Sequence, residues 1–302
     1  MAVSQENTTQ MPAFVQYPQH HQESEWPLLI FTLALMLAIG TYFWGSVWFF
    51  FKPEYILICW ISFAWSFLGM IASLKHLASP LRAPRSILNW KTSWLSREIL
   101  LVGAFLGQLT LIIFLHYLNQ YFAGFIPPAI PVVVSITTGL TGIVLAAGLT
   151  MIYRVPTHPI WNHIDTTLSY VAGVFLMGWS QAAFFLSLWY LNLSGLTLAT
   201  MAFGMFLLIA LRGYLFSTMT QRVRSVPIVY ADHNNWHNKS LIRFRYILLG
   251  VGGLLPVISL LVSGNLWILW FVASLSIFCG EVLERWIFYQ ASPAVLFPPR
   301  FM

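Results

Sequence analysis

Residues 27–51 read PLLIFTLALMLAIGTYFWGSVWFFF, without one charged side chain. A hydrocarbon core of roughly 30 Å takes about 20 apolar residues of α-helix to cross, and this stretch exceeds that. Others follow: YILICWISFAWSFLGMIASL (55–74), ILLVGAFLGQLTLIIFLHYL (99–118) and VVVSITTGLTGIVLAAGLTMIY (132–153), then 166–191, 196–218, 246–263 and 266–290. The last two are divided only by SGN around Gly264. Of the 302 residues 58% are hydrophobic and 8% charged, and the mean hydropathy is +0.74. Such a composition excludes a soluble domain. The chain reads as an all-α integral membrane protein: a bundle of eight transmembrane helices over 25–290, between a polar tail at 1–24 and a C-terminal tail at 291–302.

The first 24 residues carry no Lys or Arg, so they lack the basic region of a signal peptide, and the first span reads as an uncleaved helix. SEWP supplies its start, with Ser24 as candidate N-cap, Glu25 in the first turn and Pro27 where a missing N–H costs nothing. No sequence repeat is legible, which argues against an inverted-repeat transporter. Cys59 and Cys279 stand alone inside spans and read as small buried thiols. With no CxxC and no set of four cysteines, neither an iron–sulfur cluster nor a structural zinc is expected in this chain.

Basic residues set the orientation. The tails and the loops 2–3, 4–5 and 6–7, with adjoining helix ends, hold 14 of the 15 Lys and Arg, and the odd loops hold only Lys52. By the positive-inside rule both termini and the even loops are expected in the cytoplasm.

Scarce ionisable groups collect on that side. SLKHLASPLRAPRSILNWKTSWLSREIL (73–100) carries Lys75, His76, Arg82, Arg85, Lys91, Arg97 and Glu98. His76 ends span two and Glu98 begins span three. Glu281 lies in the inner half of span eight, with Arg285 one turn on and on the same face, and Arg212 stands near the inner end of span six. Each has a modest reading alone. Arg212 reads as snorkelling to the headgroups, Glu281 and Arg285 as neutralising each other, Glu98 as complementing a helix N-terminus, and His76 as an interfacial residue. Together, a histidine and two carboxylates at one depth form a pocket where something is protonated and deprotonated.

A quinone suits that position, with its ring near the headgroups and its tail in lipid. Quinol oxidation releases two protons with two electrons, and histidine and a desolvated glutamate are tunable acceptors. Trp90 and Trp94 sit at interface height, as belt residues or as walls for a flat ring. The electrons need a redox centre in a partner docked on the basic face.

Four motifs occur in order: EWPLLIFT near the start, HLASPLRAPRSILNWKTSWLSREIL between spans two and three, YRVPTHPIWN after span four, and GEVLERWIFY in the last span. Together they resemble the DmsC family, the membrane-anchor subunits of dimethyl sulfoxide reductase, from about residue 24 to 290. The resemblance implies an anchor that exchanges electrons between membrane quinone (ubiquinone or menaquinone) and a ferredoxin-like iron–sulfur subunit. That subunit serves a catalytic subunit bearing a molybdenum bis-pterin cofactor. It also implies that His76 and Glu98 act in quinol binding and oxidation, that Arg82 is the basic residue of the same motif, and that Glu281 and Arg285 are the last-helix pair. With Trp94 these six form the expected quinone pocket.

The family's best-known members lack haem, and His76, His116, His158 and His163 offer no obvious axial pair, so no haem is expected here. His163, in WNHID, reads as a surface-loop residue. The basic loop 222–245 is a departure from a typical anchor. A cytoplasmic basic face favours the branch resembling sulfite-oxidising complexes (SoeC-like anchors) in a bacterial cytoplasmic membrane. A dimethyl sulfoxide reductase-type complex oxidising menaquinol is the alternative within the family. A multi-span transporter is the rival of another class, but it would place polar groups near the midplane at broken helices, whereas these charges crowd one face.

Overall fold

The computed structural model describes residues 26–75, 87–122, 126–154, 161–190, 192–225, 239–262 and 266–290. They hold eight long helices: α1 (Trp26–Phe49), α2 (Tyr55–Lys75), α3 (Trp94–Tyr121), α4 (Ala129–Met151), α5 (Ile164–Trp189), α6 (Gly195–Ser225), α7 (Lys239–Leu261) and α8 (Trp267–Gln290). All eight are long and apolar enough to cross a membrane. In lipid every backbone N–H and C=O needs an internal partner, and a helix satisfies them within one segment.

Three boundaries differ from the hydropathy reading. Helix α3 starts at Trp94 rather than 99, because Ser93 caps it and accepts a hydrogen bond from Ser96 N. Arg97 folds back there, donating to the carbonyls of Trp90 (2.8 Å) and Lys91 (2.7 Å). Helix α6 continues to Ser225 and α7 starts at Lys239, so both ends of the expected basic loop are helical. Arg, Lys and Gln are good helix formers, and a hydropathy window discards them. The division at Gly264 holds, with α7 ending at Leu261 and α8 starting at Trp267. Ser24 and Glu25 lie outside the described residues.

Burial sorts the helices. In α1 and α5, 78% and 67% of the apolar window is buried, against 28–39% in the other six, so these two form the centre. Around them the packing falls into two four-helix rings, α1–α2–α3–α4 and α5–α6–α7–α8. Every neighbouring pair in one ring has its counterpart in the other, and the seam repeats too, α4 touching α5 as α8 touches α1. Trp26 to Ile164 and Ala129 to Trp267 are both 138 residues apart. The topology is therefore a tandem, parallel repeat of four helices, which residue identities had not shown.

At the centre α1 and α5 cross on Gly40 and Gly178, again 138 positions apart. A Cβ on Gly178 would lie 2.1 Å from the Gly40 carbonyl carbon, and one on Gly40 2.2 Å from the Val174 oxygen. Both obstacles are backbone and cannot rotate away. Gly178→Ala should therefore destabilise the bundle by about 3 kcal/mol, the upper range for overpacking. The control is Gly139→Ala, whose Cβ meets nothing within 4 Å and should be neutral. Thermal unfolding of the detergent-solubilised variants reads both.

Candidate functional site

Near the start of α3 the chain buries a carboxylate. Glu98 is 7% exposed, and among the described residues no hydrogen bond or ion pair reaches it. Its electrostatic neighbours are the hydroxyls of Tyr153, Tyr170 and Tyr289. These are joined to one another. Tyr153 and Tyr289 share a hydrogen bond of 3.2 Å, Tyr289 donates to Thr32 Oγ1 at 3.2 Å, and Tyr170 donates to the Thr32 carbonyl at 3.1 Å. Thr32 lies on α1, Tyr153 just past α4, Tyr170 on α5 and Tyr289 on α8, so Glu98 looks onto the seam between the two rings. Trp161 and Phe288, stacked at 4.8 Å, wall the same end, with Tyr153 edge-on to both.

Beside this seam, at the same end of the second ring, sits a cluster of five charges. Arg212 on α6 grips Glu281, Nε to Oε1 at 2.9 Å and Nη2 to Oε2 at 2.6 Å, and reaches Glu284 Oε1 at 2.5 Å. Arg245 on α7 pairs with Glu284 Oε2 and lies 3.7 Å from Glu281. Arg285 approaches Glu284 at 3.3 Å. Ser169 on α5 accepts from Arg212 and donates to Glu284 Oε1 at 3.2 Å, so all four helices of the ring contribute. Gly173 makes the room, since a Cβ there would stand 2.9 Å from Glu281 Oε2 and 2.4 Å from Met36 Cε.

Three arginines against two glutamates leave this cluster one positive charge in excess. Arg285 is its arm towards the seam, its guanidinium 5.1 Å from the rings of both Tyr170 and Phe288. With Glu98 included, the buried Arg, Lys, Asp and Glu side chains among the described residues are three Arg and three Glu.

The geometry revises several expectations. Arg212 does not snorkel; it is fully buried, because two carboxylates on α8 meet it. Glu281 and Arg285 do not neutralise each other. Glu281 belongs to Arg212 across the ring, and Arg285 to Glu284, its neighbour in the chain. Trp94 is 41% exposed, with the Arg97 guanidinium 4.3 Å over its ring, as in an interfacial belt. His163 caps α5, its Nδ1 accepting from Asp165 N at 3.2 Å. Cys59 is buried, but Cys279 is exposed on the outer face of α8. His76 and Arg82 lie outside the described residues. Arg285 thus lies against Tyr170, one of the tyrosines neighbouring Glu98, while Glu281 is engaged in the ion cluster.

Glu284 and Arg245 were missed. The signal for Glu284 was present as the i, i+3 carboxylates of GEVLER, three residues apart on one helical face. Arg245 was read as a loop cation.

Comparison with known proteins bears on the same residues. The family model described as DMSO reductase anchor subunit (DmsC) matches residues 20–291. The anaerobic dimethyl sulfoxide reductase chain YnfH of Escherichia coli (strain K12) is 30% identical over 162 residues, 51% of this chain and 55% of that relative. The match thus spans about half the length of each.

Proposed function

Since the chain belongs to the DmsC family of DMSO reductase anchor subunits, we propose that it is the quinone-reactive membrane subunit of a molybdenum oxidoreductase complex. Its partners are a ferredoxin-like iron–sulfur subunit and a molybdopterin catalytic subunit. The observation that carries this reading is Glu98: a buried carboxylate without a described partner, fenced by tyrosine hydroxyls at the end of the bundle where the basic residues collect. A carboxylate is costly to bury unpaired, and a ring hydroxyl would give it the hydrogen bond it lacks. When a quinol is oxidised there, its two electrons pass to the iron–sulfur partner and its two protons to acceptors at the site. Glu98 takes one, and His76, the residue that follows α2 in the sequence, is assigned the other. Run backwards, the same groups supply protons to a quinone.

The substrate chemistry belongs to another chain. The similarity to YnfH supports a dimethyl sulfoxide reductase-type complex. The basic end supports cytoplasmic partners, the arrangement of a sulfite-oxidising complex in a bacterial cytoplasmic membrane. Reporter fusions at both termini separate the two: cytoplasmic readouts favour the sulfite branch, and external ones remove its support. The functional reading itself is tested by deleting this chain while keeping the soluble subunits. Quinone-linked activity should vanish and activity with a soluble artificial carrier persist; quinone-linked activity without the chain would refute it.

The docking face follows from the helix ends. Arg222 and Arg224 lie in the last turn of α6 and Lys239 opens α7. Reversing all three to Glu should release the soluble subunits from membranes, because like charges across an interface cost several kcal/mol. Full retention at raised salt would show that docking lies elsewhere.

A further inference from the structure

A cavity lies far from Glu98, near the middle of the bundle. It is a cleft of about 270 Å³ between α2 and α8, floored by α1 and α5, and its walls include Trp65, Phe184, Phe271 and Phe278. Phe271 is 45% exposed and the neighbouring Leu275 49%, so the cleft opens sideways onto the surface that faces lipid. No residue of α3 or α4 lines it. Along α5, Gln181 lies eleven residues beyond Tyr170, about 16 Å further from the Glu98 end at 1.5 Å per residue.

Two polar side chains line this otherwise apolar cleft, Gln181 and Ser274. The Thr41 hydroxyl holds the Gln181 amide oxygen, which turns the NH₂ group away from α1. That nitrogen has no hydrogen bond among the described residues and is not among the enclosed unsatisfied atoms, so it borders the cleft. Ser180 donates its proton to the Met177 carbonyl, so in its 3.4 Å contact with Ser274 it is the acceptor; the Ser274 proton is used there, and the Gln181 NH₂ is the donor left to the cleft. Donors at this depth meet neither water nor acceptors on lipid chains. Aromatic walls favour a flat ring, and the volume is at the small end of ligand pockets, which run from roughly 300 Å³ upward.

We propose that this cleft binds a flat apolar ring bearing a carbonyl, of the quinone class, entering sideways from lipid between α2 and α8. The proposal rests on the quinone reading above and adds a second position for the ring. Gln181 donates a hydrogen bond but takes up no proton, so the cleft holds the oxidised ring without reacting with it and prefers it to the reduced one.

Membranes carrying the full chain are irradiated with an azido-benzoquinone bearing a short isoprenoid tail, and the labelled peptides are mapped. Label is expected on 181–185 and 271–278, and separately at the start of α3. Gln181→Leu should lower the cleft label about tenfold, the worth of one hydrogen bond at the upper end of its range. The α3 label should stay and serve as the folding control, while Glu98→Gln should show the reverse pattern. Undiminished cleft label in Gln181→Leu would mean simple partitioning into an apolar groove and would overturn the proposal. Label at α3 alone would overturn it and leave the proposed function standing. Label at neither position would overturn both.

Discussion

Replacing Glu284 by alanine should cost about 3–5 kcal/mol, the range for breaking a buried ion pair by removing one partner. The loss is large because Glu284 is shared. Its carboxylate meets Arg212, Arg245 and Arg285 and accepts from Ser169. Without it three guanidinium groups face Glu281 alone inside a low-dielectric core. Arg245 is already short of partners, with Nε and Nη1 unbonded. The full-length chain should accumulate poorly and unfold at a clearly lower temperature in detergent. Arg285→Lys, which keeps the charge beside Glu284 and alters one 3.3 Å ion pair and two ring contacts, should be far milder. Wild-type behaviour of Glu284→Ala would mean that the cluster does not hold the second ring together.

Glu98→Gln should have the opposite profile, keeping the fold and losing turnover. The amide has nearly the same shape and carries no charge to desolvate. Because no described partner is left behind, thermal stability in detergent should equal or exceed that of the wild type. Quinone-linked turnover should fall at least ~100-fold, the lower range for removing a positioned proton acceptor. Lower stability would make Glu98 a structural residue with an unseen partner.

The eight spans were legible because a run such as 27–51 has no charge to interrupt it, and hydropathy alone finds it. What hydropathy could not find is instructive. KSLIRFR was discarded as loop because it is polar, and Arg245, fully buried within it, was lost with it. Glu281 and Arg285 were paired because i, i+4 spacing is visible along one helix, whereas the true partner, Arg212, stands 69 residues away. The tyrosines around Glu98 come from three separate segments of the chain, and no local pattern links them. The tandem four-helix repeat survives in spacing and at Gly40 and Gly178, where only a glycine fits, but not in the side chains between.

The central claim is that Glu98 serves the quinone and not the assembly, and one paired measurement tests it. Quinone-linked and artificial-carrier rates are taken on the same membranes, for wild type and Glu98→Gln. Because the artificial carrier bypasses the membrane step, its rate should be unchanged while the quinone-linked rate collapses. Two rates that fall together, or two that stay level, would contradict the account.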